Sequence, residues 1–247
     1  MCSDNQIIFR DELQAVRPCD IYMDEFAERI QSKRDTVFIE QKLDKQWRCR
    51  GGKEYTDYIW NLLNCNLKNS IEFENYELKL YRDVNKMVED IKDKNKEYGL
   101  CRNVAGYAWP WATKKDKNAY DIKIDNYQYK WNSTYDNWIV KENAINEIGC
   151  IHTVQGYDLN YVGVIIGKDI YYDKVQKRIL GDKNNYFDQQ GKSGVANDLE
   201  ALTSYLKNIY LTLMTRGIYG TYIYVCDDAL REYFSTYISE IKKQGEL

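Results

Sequence analysis

The residues able to do chemistry in this 247-residue chain gather at a few points, and the densest runs from His152 through Thr153 and Gly156 to Asp158. The run lies between apolar Ile148 to Ile151 and a β-branched stretch, Val162 to Ile166, closed by Gly167. This is the pattern of a strand, a short polar loop and a second strand. Open α/β sheets bind ligands in the crevice outside the carboxyl ends of their strands, so the loop is expected to face a ligand. Four smaller constellations accompany it: Asp11-x-x-Gln14 after a strand-like run, Trp47-Arg48, Trp109-Pro110-Trp111, and Thr215-Arg216 between a helix and a strand. An arginine offers a planar, permanently charged fork that matches a phosphate. Two tryptophans around a proline could stack on bases, each contact worth about 1–3 kcal/mol, or could pack an insertion against the sheet.

Two look-alikes fall away. Gly191-Lys192-Ser193 resembles the end of a phosphate-binding P-loop, but the full pattern needs glycine where Tyr186 stands. Gly217-Ile218-Tyr219 with Tyr222-Ile223-Tyr224 suggests a GIY-YIG nuclease, yet the halves are too close, and they fall near the end of the sequence where that nuclease would still need its catalytic Arg and Glu beyond them. Seven scattered cysteines without a Cys-x-x-Cys, and a single histidine, point to reduced intracellular thiols and no metal site. A formal net charge of −3 provides no basic footprint, so any nucleic-acid contact must be local. No secretory signal and no apolar run of membrane-spanning length is visible, which predicts a cytoplasmic protein without a membrane partner.

Positioning these residues requires an α/β framework. Helices are expected over 20–33, 53–65, 83–98, 197–214 and 227–243, the first capped by Asp20 and the fourth by Asn197. The 83–98 segment is the clearest, with Val84, Met87, Val88 and Ile91 along one side and charged residues along the other. Strands are expected at 36–43, 77–81, 101–108 and 219–226, besides those flanking the His152 loop. Residues 112–143 form an aromatic-rich excursion, with β segments at 121–124 and 127–131, and 169–185 has hairpin character.

Taken in order, Asp11-x-x-Gln14, Trp47-Arg48, His152 to Asp158 and Thr215-Arg216 resemble motifs III, IV, V and VI of superfamily 1 helicases. Within that superfamily, Gln46-Trp47-Arg48-Cys49, Ala105 to Trp111, Trp131-Asn132 and Gly149 to Gly156 resemble the Schlafen group-three type of DNA/RNA helicase, formerly a bacterial domain of unknown function. The resemblance implies a RecA-like, mainly parallel sheet flanked by helices, the second motor domain of a P-loop NTPase. Residues 1–35 would be a remnant of the first RecA-like domain with a linker helix, and 36–247 the second domain. It further implies that Arg216 is an arginine finger, that Arg48 and Gln14 reach the γ-phosphate, and that Trp47, Gly156 and Asp158 contact base and ribose. His152, Thr153, Trp109 and Trp111 would meet single-stranded DNA or RNA. ATP and Mg would serve the full-length protein but bind this chain weakly, because no Walker A lysine or Walker B acidic pair precedes Asp11. The chain is therefore expected to be inactive alone. A non-catalytic nucleic-acid-binding or scaffolding protein on a degenerate RecA-like domain is the alternative.

Overall fold

A computed structural model describes residues 7–9, 27–30, 32, 37, 39–41 and 48–241. The segment with the strongest helical periodicity becomes a helix over Val84–Tyr98, here α2, preceded by α1 over Gly52–Leu63 and β1 over Glu77–Tyr81. Asp83 caps α2 by accepting from the amides of Asn85 and Lys86 at 2.8 and 3.1 Å, which satisfies two of the donors a helix start leaves unpaired. Onward come β2 (Arg102–Ala105), β3 (Ile122–Ile124), β4 (Tyr127–Tyr129) and β5 (Ile148–Cys150). The short α3 (Ile151–Val154) leads to β6 (Leu159–Ile166), β7 (Ile170–Asp173), β8 (Arg178–Gly181) and α4 (Gln189–Lys192). The last elements are α5 (Leu199–Met214), β9 (Gly217–Val225), α6 (Asp228–Ser235) and β10 (Glu240–Ile241).

Six strands form one wholly parallel sheet in the order β10-β1-β9-β6-β2-β5, and β3–β4 and β7–β8 are separate antiparallel hairpins. A parallel sheet has to be covered on both faces, and alternation along each strand divides the core accordingly. Val162, Val164 and Ile166 of β6 and Ile223 and Val225 of β9 face α1, α5 and α6. Tyr161, Ile165, Tyr222 and Tyr224 face α2 and the insertion, where Ile122, Ile124 and Trp131 are buried. This is the RecA-like α/β arrangement the motif order implied. Among the described residues no helix is long and apolar enough to cross a membrane.

The structure corrects three sequence expectations. The final helix stops at Ser235 instead of continuing to 243, and Glu240–Ile241 pairs with Leu80 and Tyr81. The open backbone edge of β1 recruits this segment, so tertiary pairing overrides its helical periodicity. Val37 and Ile39, expected in a strand, are exposed and outside any strand, because apolar residues at two alternating positions do not by themselves fix a partner. The cap of α5 is Asp198, accepting from the Ala201 amide at 3.0 Å, one residue after the expected Asn197.

Several buried polar side-chain atoms among the described residues lack a hydrogen-bond partner. Asn103, in the middle of β2, is fully buried and neither atom of its amide is hydrogen-bonded. An unsatisfied buried amide costs about 1–3 kcal/mol, so Asn103→Leu, of similar shape, is expected to raise stability by about 1 kcal/mol. Urea unfolding should show a higher midpoint at unchanged slope. A lower midpoint would mean that the amide has a polar partner in solution.

Candidate functional site

The polar run from His152 to Asp158 is divided between opposite edges of the sheet. Cys150 pairs with Ala105, which pairs with Ile165 near the end of β6, so His152 in α3 lies at the carboxyl edge. Asp158 immediately precedes Leu159, the first residue of β6, and lies at the amino edge. Parallel strands force this, because the chain must return the length of β6 before it can enter it. Eight residues at ~3.3 Å each put the two ends on the order of 25 Å apart. The loop thus presents its start and its end to different edges, and only the His152 end lies where the crevice at the carboxyl ends was expected. Gly156, at φ +93°, makes the return possible by adopting a left-handed conformation that costs other residues strain.

At the amino edge, Asp158 and Arg216 precede neighbouring strands whose first residues, Leu159 and Gly217, are partners in the ladder. The Leu159 amide donates to the Arg216 carbonyl at 3.0 Å. Arg48 forms an ion pair with Asp158, and the Arg50 amide donates to the Ile218 carbonyl at 2.9 Å while its guanidinium covers the Tyr219 ring at 4.2 Å. Arg48, Asp158 and Arg216, which are far apart in sequence, therefore come together. The ion pair is partly solvated and worth under about 1 kcal/mol, so a phosphate or a ribose hydroxyl could exchange into it. Arg216 is different: its side chain is 0% exposed, with Nε donating to the Thr212 carbonyl at 3.0 Å and one terminal nitrogen at 3.5 Å from the Tyr157 carbonyl. Thr215 caps the end of α5, its hydroxyl donating to the Leu211 carbonyl at 2.9 Å. Gln14 and Trp47 lie outside the described residues.

At the carboxyl edge, His152 Nε2 is 2.7 Å from an oxygen of Asp188. Composition and motifs had not pointed to Asp188. The available signal was its position as cap of α4, where it accepts from the Gln190 amide at 3.0 Å. Burial opposes its ionisation, yet the bonds from His152 and the Gly191 backbone hold its carboxyl below the usual range. Thr153 is buried, its hydroxyl 3.2 Å from the Cys150 sulfur, so it supports the loop from inside. Trp109 and Trp111 are half-buried against Trp131, with ring centres 6.3 and 5.8 Å away. Tyr107, also missed, bridges the two groups. Its ring lies 5.7 Å from Trp111, and its carbonyl accepts from the Phe187 amide at 2.8 Å, one residue before Asp188.

The look-alikes also find their places. Gly191-Lys192 closes the single turn α4, and both halves of the GIY-YIG phrase lie within β9. No group of three or more His, Cys, Asp or Glu among the described residues is placed to hold a metal ion.

The geometry joins a paired arginine and carboxylate beside a buried arginine at one edge to a histidine–aspartate pair beside aromatic rings at the other. Comparison with known proteins agrees with the motif order. Residues 2–227 match the family model described as Schlafen group 3, DNA/RNA helicase domain. The chain is also 32% identical over 169 residues to an uncharacterized protein, YPL245W, of Saccharomyces cerevisiae. That alignment covers 65% of this chain and 37% of the yeast protein, so the chain spans well under half of its relative. The chain belongs to the Schlafen group 3 DNA/RNA helicase domain family.

Proposed function

We propose that the chain is the second RecA-like motor domain of an ATP-dependent DNA or RNA helicase or translocase, acting in the cytoplasm. Residues 1–35 would be the end of the first motor domain and its linker, and 36–247 the second domain. The observation that supports this most directly is the meeting of Arg48, Asp158 and Arg216 at the amino edge, with His152 held at the opposite edge. Such a division lets one domain touch a nucleotide and a nucleic acid without the two competing for space.

In this reading Arg48, Arg216 and Gln14 face the γ-phosphate, Asp158 the ribose and Trp47 the base, while Gly156 shapes the loop between the edges. These groups fit the distal side of a nucleotide: two guanidinium forks suit phosphate oxygens, and a carboxylate suits a sugar hydroxyl. They do not fit a magnesium ion or a phosphate cradle, which the partner motor domain would supply. The chain alone would therefore be inactive, ATP with Mg serving the two-domain protein. Bound magnesium would neutralise charge on the phosphates; this chain's contribution is orientation and positive charge at the γ-phosphate. His152 would contact the backbone of single-stranded DNA or RNA, steadied by Asp188 and by Thr153 behind it, with Trp109 and Trp111 nearby. The alternative, a non-catalytic nucleic-acid-binding or scaffolding protein, draws on one observation: Arg216 is wholly buried, and a finger must be reachable.

The two edges should separate in experiment. In the full-length protein, His152→Ala is expected to weaken single-strand binding by about tenfold and to lower nucleic-acid-stimulated turnover, with basal nucleotide affinity changed less than about twofold. Asp188→Ala should show the same pattern in weaker form. Affinities need one fixed salt concentration, because phosphate contacts are salt-dependent. Equal losses of nucleotide and nucleic-acid binding in His152→Ala would reduce the loop to a structural element.

A further inference from the structure

The insertion between β2 and β5 carries a surface that packing leaves unexplained. Trp131 and Trp109 anchor it, but Tyr135 is 51% exposed with its ring 5.5 Å from Trp111, and the Lys114 ammonium lies 4.3 Å above the Trp111 ring. A second, looser pair lies in the same insertion: Tyr120 is 46% exposed, and the Lys130 ammonium, which donates to the Lys117 carbonyl at 2.7 Å, sits 5.5 Å from its ring. Across the insertion Lys114, Lys115, Lys117, Lys123, Lys130 and Lys141 stand against Asp116, Asp121, Asp125, Asp136, Glu142 and Glu147. Two of these carboxylates are occupied: Asp121 is buried and accepts from the Thr113 amide and hydroxyl and from the Trp131 amide at 2.8–2.9 Å, and Glu147 accepts from the Ser133 amide and the Trp138 indole at 2.9 and 2.6 Å. Among the charges left, lysines outnumber carboxylates, beside the exposed rings.

We propose that this face stacks unpaired bases of a single-stranded nucleic acid, with Trp111, Tyr135 and Tyr120 offering ring faces and Lys114 and Lys130 taking the flanking phosphates. The proposal rests on the nucleic-acid reading of the His152 edge and deepens it, naming the unpaired base as what is recognised. A lysine resting on an exposed ring interacts more weakly than a stacked base, so a base can displace the ammonium, which is then placed to meet a phosphate. Stacking needs a free base face, which a duplex does not offer. The surface is continuous with the His152 edge: Trp111 contacts Tyr107, whose carbonyl holds the Phe187 amide, and the next residue, Asp188, pairs with His152. A strand leaving His152 could therefore run onto the insertion.

The test measures binding of labelled oligothymidylate, oligouridylate and a blunt DNA duplex of the same length to the chain, at one low salt concentration and across a salt series. Single strands are expected to bind at least about tenfold more tightly than the duplex, and Tyr120→Ala with Tyr135→Ala to lose about tenfold or more of that affinity. Lys114→Gln with Lys130→Gln should flatten the salt dependence by roughly 0.7 in log–log slope for each phosphate contact removed. Both tyrosines are half exposed, so an unchanged thermal midpoint will show that the variants fold. If the tyrosine variants bind like the parent while His152→Ala loses affinity, the surface is rejected and the nucleic-acid reading stands. If duplex binds as well as single strand, unpaired-base recognition is rejected. If the chain binds no oligonucleotide at low salt, the surface is rejected, and the His152 comparison in the full-length protein decides the wider reading separately.

Discussion

In the full-length protein, Arg216→Ala is expected to slow ATP hydrolysis by about 10³-fold or more while leaving single-strand affinity within about twofold. The expectation follows from position: Arg216 precedes β9 beside Asp158, at the edge opposite His152, so its loss should touch only the edge proposed to face the nucleotide. Burial complicates the alanine variant, because it strips a hydrogen-bonded guanidinium from the interior and leaves the Thr212 and Tyr157 carbonyls short of a donor. Arg216→Lys separates the two effects. It keeps a buried cation but loses the planar fork, so it should fold with a thermal midpoint near the parent's and still hydrolyse slowly. The contact to the Tyr157 carbonyl is long at 3.5 Å, hence weak. Single-turnover ATPase measurements decide. Full activity in Arg216→Lys, or in Arg216→Ala, would leave the non-catalytic alternative as the better reading.

The stability of the chain itself should depend on pH through Asp169. This residue follows β6, is completely buried, and accepts from the Tyr210 hydroxyl at 2.5 Å, while its second carboxyl oxygen has no hydrogen-bond partner. Burial pushes its carboxyl up to about 7, the Tyr210 bond offsetting only part of the shift. An unfolded aspartate releases its proton near pH 3.9, so between about 4 and 7 the folded chain holds a proton that the unfolded chain has lost. Stability must therefore fall as pH rises through that window, by a total on the order of 4 kcal/mol, and stay flat above it as far as this group is concerned. Asp169→Asn stays neutral and keeps an oxygen for Tyr210. The variant should match the parent near pH 4, lack this downward slope, and be the more stable protein at pH 8. Denaturant midpoints of both proteins at pH 4, 6 and 8 give the comparison. Parallel pH profiles would show that Asp169 reaches solvent or a counter-ion.

Much of this architecture is local and so can be read directly from residue order. Helix α2 follows from a 3.6-residue apolar period and an aspartate placed to cap it, and β6 from a β-branched run long enough to be buried on both faces. Motif order likewise survives in one dimension, and it pointed to the family. Motif order implied that Arg48, Asp158 and Arg216 meet, but residue order did not decide at which edge of the sheet they lie or which other residues join the site. His152 and Asp158 stand six positions apart yet belong to opposite edges, because a parallel crossover has to travel back along the sheet before the next strand begins. Asp188 reaches His152 across 36 positions, and Arg48 reaches Asp158 from the other side of the sheet's sequence, through the packing of β9 beside β6. The burial of Arg216, the short strand at Glu240–Ile241 and the upward shift of the Asp169 carboxyl have the same origin. Each depends on what distant segments place around a group, and hydrophobic periodicity, which senses only neighbours within a turn or a pleat, carries no record of it.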